Sequence, residues 1–160
     1  EVMEQLIALQ SPLQVVVVCG RSQELYERSR ALAGGAEAPV TVRVLGLTTD
    51  MPALMAAADV AVTKPGGLTS SEALSAGLPM VIANPYPLQE EVNASVLLEH
   101  GAAVRVDSIS TLGHKLKRLL ATPDRLAEMR ANCARLAHPG SAAAVASCVL
   151  DELVLKGRAR

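Results

Sequence analysis

Residues 63–103 read TKPGGLTSSEALSAGLPMVIANPYPLQEEVNASVLLEHGAA, from Thr63 to Ala103, and this stretch decides the fold. Its first residues close a short β-branched run, Asp59 to Thr63. Gly66-Gly67 then turns the chain into a helix that runs through Ala76, and Gly77 stops it. Met80 to Ala83 reads as the next strand. A proline-rich loop, Asn84 to Pro87, leads into a second helix from about Leu88 to His100, closed by Gly101. Ala103 to Val106 is a further strand. Strand, glycine turn, helix and strand repeat without an intervening hairpin signal, and that rhythm belongs to parallel strands joined by helical crossovers.

The same rhythm extends outward. On the N-terminal side, Gln14 to Cys19 (QVVVVC) reads as a strand buried on both faces. Ser22 to Ala33 reads as a helix, Val40 to Leu45 as a strand, and Asp50-Met51-Pro52 opens a short helix to about Ala58. Glu1 to Leu9 reads as a helix ahead of the first strand. On the C-terminal side, Ser108 to Ala121, Pro123 to Ala137 and Ser141 to Leu155 read as three consecutive helices. The prediction is an α/β fold: a Rossmann-like open parallel sheet with helices on both faces, followed by C-terminal helices.

Composition removes several function classes. The 160 residues suit one domain. Fifteen Lys and Arg against sixteen Asp and Glu give a net charge of -1, which leaves no basic footprint for nucleic acid over the domain as a whole. There is no Trp or Phe and only two Tyr, too few for a base-stacking platform. No apolar run reaches the ~20 residues of a spanning helix. Cys19, Cys133 and Cys148 form no CxxC pair, and His100, His114 and His138 have no metal-ligand spacing, so no metal is expected.

Ligands of such sheets bind beyond the carboxyl ends of the strands. In the loop after Thr63, Gly66 and Gly67 let backbone approach a ligand. The N–H groups at the following helix start form an anion site suited to phosphate. Thr69, Ser70 and Ser71 add hydroxyls. Glu72, about one turn further in, is placed to accept the two hydroxyls of a ribose. The competing reading is a capping box, Thr69-x-x-Glu72, in which Glu72 only ties down its own helix. In the loop after Ala83, Gln89, Glu90 and Asn93 are candidates for sugar hydroxyls. Acidic residues there are also explained by the helix dipole alone. Spacing by itself leaves both pairs of readings open.

Taken together, the two loops closely resemble the C-terminal lobe of GT-B glycosyltransferases. The nearest branch is that of monogalactosyldiacylglycerol synthases and bacterial diacylglycerol glucosyltransferases. The cell-wall N-acetylglucosaminyltransferase is a more distant member. VVVVCGRSQEL and VRVLGLTTDMPALMAAADV fit the same pattern, so the resemblance covers most of Gln14 to Ala103. It implies a UDP-sugar donor bound without a cofactor. Amides around Gly66, Gly67, Leu68 and Thr69 would hold the diphosphate, and Glu72 the ribose. Gln89 and Glu90 would hold the hexose. Gly20 and the Leu47-Thr48 backbone would flank the uracil, Lys64 would approach the phosphates, and Arg21 stands where the family tends to carry a basic residue.

The resemblance also implies an inverting transfer to a lipid hydroxyl such as that of diacylglycerol, at the cytoplasmic face of the membrane. The N-terminal acceptor lobe, the catalytic base and a first strand with its own glycine-rich loop would lie outside these residues. The chain therefore reads as a fragment, inactive alone and prone to self-association through an uncovered edge. Leu88 departs from the family, which often has glycine before Gln-Glu. A UDP-sugar 2-epimerase, a dinucleotide-binding dehydrogenase domain and a non-catalytic interaction module are the alternative readings. Cys19-Gly20-Arg21-Ser22 does not supply the GxGxxG that the dehydrogenase would need.

Overall fold

The computed structural model describes residues 1–37, 39–84 and 86–152. The basic tail carrying Lys156, Arg158 and Arg160, and the end of the last predicted helix, lie outside the described residues. Helix α1 spans Val2–Ile7 and leads into strand β1, Leu13–Val18. Then follow α2 (Gln23–Gly34), β2 (Val40–Leu45), α3 (Met51–Ala57), β3 (Ala61–Thr63), α4 (Gly67–Ser75), β4 (Met80–Ala83), α5 (Gln89–Glu99) and β5 (Ala103–Val106). Three helices close the described chain: α6 (Leu112–Leu120), α7 (Pro123–Leu136) and α8 (Ser141–Leu150).

Every strand pairing is parallel, as expected of an α/β fold with helical crossovers. The ladders form two groups, β1-β2 and β3-β4-β5. In β1 the odd-numbered N–H groups serve β2: Leu13 N–H donates to Pro39 O at 3.3 Å and Cys19 N–H to Leu45 O at 2.8 Å. The N–H groups of Gln14, Val16 and Val18 therefore point away from β2. β3 is likewise paired on one side, through Ala61 N–H to Pro79 O at 2.9 Å.

β3 is shorter than its apolar run predicts. Arg130, from α7, donates to the carbonyls of Ala58 and Asp59 and to the Asp59 carboxylate, so these residues are held by a helix and not by a ladder. The valine run of β1 is corrected too. Half-buried and exposed residues alternate along it, and Val16 is 46% and Val18 37% exposed. Only the face carrying Val15 packs on the core.

The core lies on both faces of β4, whose four residues are all buried. Met80 and Ile82 pack with Met55 of α3, Ala73 of α4 and Leu97 of α5. Val81 packs on the opposite face with Leu6 of α1 and Leu112 and Leu116 of α6. At the carboxyl end, Thr63, Ile82 and Arg105 sit side by side in register. That row places the loops after β3 and β4 next to each other.

Candidate functional site

Helix α4 starts one residue after Gly66, whose extended backbone (φ -65°, ψ 146°) forms the N-cap without a side-chain hydrogen bond. The first helical bond runs from Ser70 N–H to Gly66 O at 2.8 Å. Gly67, Leu68 and Thr69 thus occupy the first turn, where N–H groups find no carbonyl behind them. None of the three donates to another group among the described residues. Leu68, 83% exposed, covers nothing there. The result is a small fan of backbone donors at the positive end of a helix.

Gly66 departs from the sequence expectation, because its N–H donates to Lys64 O at 2.9 Å. The serines differ as well. Ser71 Oγ donates back to Gly67 O at 2.9 Å. Ser70 Oγ is buried with no partner among the described residues. The capping box does not form: with Gly66 as N-cap, Thr69 lies inside the helix. The Glu72 carboxylate makes no hydrogen bond or ion pair among the described residues, and the residue is exposed. It lines a cavity of about 680 Å³ with Met51, Met55, Leu74 and Leu136. No local pattern announces this α3–α4–α7 cavity, because its walls come from segments far apart in the chain.

Gly20 and Leu47 line a second hollow of about 430 Å³, together with Arg21, Tyr26 and Gly46. Gly20 has φ +59°, a conformation that glycine adopts without strain. Thr48 Oγ1 accepts from Asp50 N–H at 3.0 Å and so shapes the turn between β2 and α3. The structure brings Gly20 and Leu47 together in one hollow and sets Glu72 beside Met51 in the other. The two hollows flank the same β2–α3 connection.

The loop after β4 carries the other candidates. Leu88 caps α5 at φ 71°, ψ -94°, and its side chain is 85% exposed. A bulky residue at positive φ costs on the order of 1–3 kcal/mol. The backbone thus keeps a shape that suits glycine, with leucine in its place. Glu90 Oε2 accepts from Tyr86 N–H at 2.6 Å, and its Oε1 lies 3.8 Å from Lys64 Nζ. Lys64 also lies over the Tyr86 ring, 4.1 Å from its centre. Lys64 and Glu90 therefore hold the two loops together. Gln89 is exposed at the first position of α5.

Two further contacts were not foreseen as such. Asn93 Nδ2 donates to Pro65 O at 2.9 Å. Arg105 clasps Glu91 through two hydrogen bonds, at 2.6 and 2.9 Å. A charged residue inside the apolar strand AVRV was the available signal for this second contact. The Arg105 hydrogen bonds, and then its charge, hold the Glu91 carboxyl below the usual range, while Arg105 is raised in return. The Lys115 ammonium, 3.0 Å from Asp107, lowers that carboxyl as well.

A lowered carboxyl contributes stability above its unfolded pKa, about 4.3 for Glu. That contribution is lost as pH falls through the still lower folded value. The Glu91→Gln variant should therefore melt below wild type at pH 7, with the gap closing as pH falls below the ordinary Glu range and narrowing in high salt. A gap that stays unchanged as the pH is lowered until the fold is lost would contradict the ion-pair account.

Comparisons with known proteins agree on the family and the fold. The family model described as glycosyl transferases group 1 matches residues 1–137. The processive diacylglycerol beta-glucosyltransferase of Bacillus subtilis (strain 168) is 35% identical over 140 residues, covering 88% of this chain and 36% of that protein. The enzyme of the same description from Staphylococcus epidermidis is 46% identical over 81 residues, which is 51% of this chain and 20% of that protein. The chain thus spans about a third of the Bacillus relative's length. The crystal structure of Acinetobacter baumannii MurG superposes with a TM-score of 0.81 at 27% identity, over 92% of this chain and 44% of that one. The parallel α/β architecture is that of a GT-B lobe, and this chain belongs to the group 1 glycosyl transferases.

Proposed function

We propose that this domain holds the UDP-sugar donor of a hexosyltransferase, with glucose the first candidate for the hexose and diacylglycerol for the acceptor. The observation that carries this reading is the pairing of three unengaged first-turn amides, at Gly67, Leu68 and Thr69, with an unengaged carboxylate one turn on, at Glu72. Diphosphate suits the amides by charge and dipole. Glu72 suits the ribose hydroxyls, and the hollow at Gly20 and Leu47 suits the uracil. Gln89, at the entry of α5, would reach the hexose, with Glu90 beside it.

In the transfer itself, an acceptor hydroxyl loses its proton to a base and attacks the anomeric carbon as UDP departs, with inversion. The amide fan would stabilise the charge that grows on the leaving diphosphate without needing a metal. The acceptor site and the base would come from polypeptide outside these 160 residues, so this chain alone would transfer no hexose. The break between β1 and β3 suits a further parallel strand from the same source. Among the described residues no helix is long and apolar enough to cross a membrane. The longer protein would meet its lipid as a peripheral protein on the cytoplasmic face.

Calorimetric titration tests the donor assignment. UDP should bind saturably and NAD should not. Glu72→Gln should weaken UDP about tenfold, the worth of hydrogen bonds to a charged group. Saturable NAD binding, or a Glu72→Gln variant with unchanged UDP affinity, would contradict the reading.

A further inference from the structure

The peptide unit between Pro65 and Gly66 is held at both ends. Its N–H donates to Lys64 O at 2.9 Å, and its C=O accepts from Asn93 Nδ2 at 2.9 Å. Only the nitrogen of the Asn93 amide suits this contact, because a carbonyl oxygen offers no proton. The contact joins residues 28 apart in sequence, and Pro65 is fully buried beneath it. It is the one hydrogen bond between α5 and the glycine loop among the described residues. Next along the chain, Gly66 O accepts the first helical bond of α4. Those two backbone bonds are local to the loop and set the direction of the Gly67, Leu68 and Thr69 N–H groups, while the Asn93 contact sets where that turn stands against α5.

The other end of the same contact is equally anchored. Asn93 lies one turn from Gln89 and three residues from Glu90, so the three share one side of α5. Glu91 binds that first turn to β5 through Arg105. Glu90 Oε1 comes within 3.9 Å of the point where a Gly66 Cβ would stand.

We propose that Asn93 is a positioning residue, whose amide sets the distance between the first-turn amides of α4 and the Gln89–Glu90 end of α5. It acts through the Pro65 carbonyl and touches no donor atom itself. This rests on the donor-binding reading above. A ligand that spans both ends needs the spacing, whereas one that fills only the diphosphate end does not. Asn93 therefore governs how well the hexose is seated once the diphosphate is bound.

The test compares UDP with UDP-glucose by calorimetry, in the wild-type chain, Asn93→Ala and Asn93→Asp, with melting temperatures taken in parallel. In Asn93→Ala, UDP-glucose affinity should fall about fivefold, the worth of one amide–carbonyl hydrogen bond, and UDP affinity less than about twofold. Asn93→Asp places a carboxylate oxygen against the Pro65 carbonyl, so at pH 7.5 it should lose at least as much. Near pH 3.5, below the ordinary Asp value of about 3.9, a protonated carboxyl there donates its O–H to Pro65 O. UDP-glucose affinity should then return to within about twofold of wild type at the same pH. This isosteric variant keeps the test readable if Asn93→Ala does not fold.

Equal losses of UDP and UDP-glucose would overturn the inference and leave a purely structural tie. Wild-type UDP-glucose affinity in Asn93→Asp at pH 7.5 would overturn it too, since a carboxylate touching the hexose directly would keep binding it. A wild-type chain that binds neither ligand would instead overturn the donor reading, and the inference with it.

Discussion

Gly67→Pro should weaken UDP binding about 30-fold while leaving the melting temperature of the chain within about 2 °C of wild type. Gly67 is the first residue of α4. Proline is well accepted at that position, because its missing N–H has no partner in the helix and its fixed φ suits the first turn. The preceding residue must be extended, and Gly66 already is, at φ -65° and ψ 146°. The substitution thus deletes one backbone donor and spares the helix. Hydrogen bonds to a charged group are worth roughly 1.5–3 kcal/mol, and a diphosphate is such a group. UDP affinity unchanged in a folded Gly67→Pro variant would show that the amide fan does not hold the phosphates.

Ile82→Ala should cost about 3–4 kcal/mol of folding free energy, the middle of the range for large-to-small changes in a packed core. Ile82 is fully buried in the middle strand of its ladder, with Thr63 on one side and Arg105 on the other. Its side chain packs with Met80, Ala73, Ala94 and Leu97. Both neighbouring strands and the helix layer above limit collapse into the space left behind. Urea unfolding should show a lower midpoint with an unchanged slope. Val16→Ala serves as the contrast, since Val16 is 46% exposed and should cost less than about 1 kcal/mol. Equal costs at the two positions would contradict the placement of the core. Because Thr63 and Arg105 flank Ile82, its loss should also loosen the loops that begin just beyond them.

The fold was largely legible because local signals agree with one another. Gly77 and Gly101 end α4 and α5 at positive φ, where the sequence placed helix stops. MVIA is apolar throughout and lies buried throughout. QVVVVC misled in one respect, since a run of valines does not state which of its two faces is covered. Asp59 looked like the start of a strand, and Arg130, 71 residues away, holds it outside the ladder.

The candidate site was legible where backbone chemistry makes it. Adjacent glycines after a strand gave the amide fan. The sequence could not choose between a ribose contact and a capping box for Glu72, because the choice depends on where the helix begins. Beginning at Gly67 removes the box. The joins between loops were hidden for the same reason that they matter: Asn93 to Pro65, Glu90 to Lys64 and Arg105 to Glu91 each link segments that only the fold brings together. At Leu88 the sequence suggested a changed loop, yet the backbone keeps a positive φ and carries the strain.

The central claim is that the start of α4 grips the diphosphate of a sugar nucleotide. Titrating UDP into isotopically labelled chain and following every backbone amide by NMR tests it most directly. The account predicts saturable shifts that are largest at Gly67, Leu68 and Thr69, with smaller ones near Gly20 and Leu47. Saturable shifts confined to the cavity walls around Met55 and Leu136, or none at the three α4 amides, would contradict it.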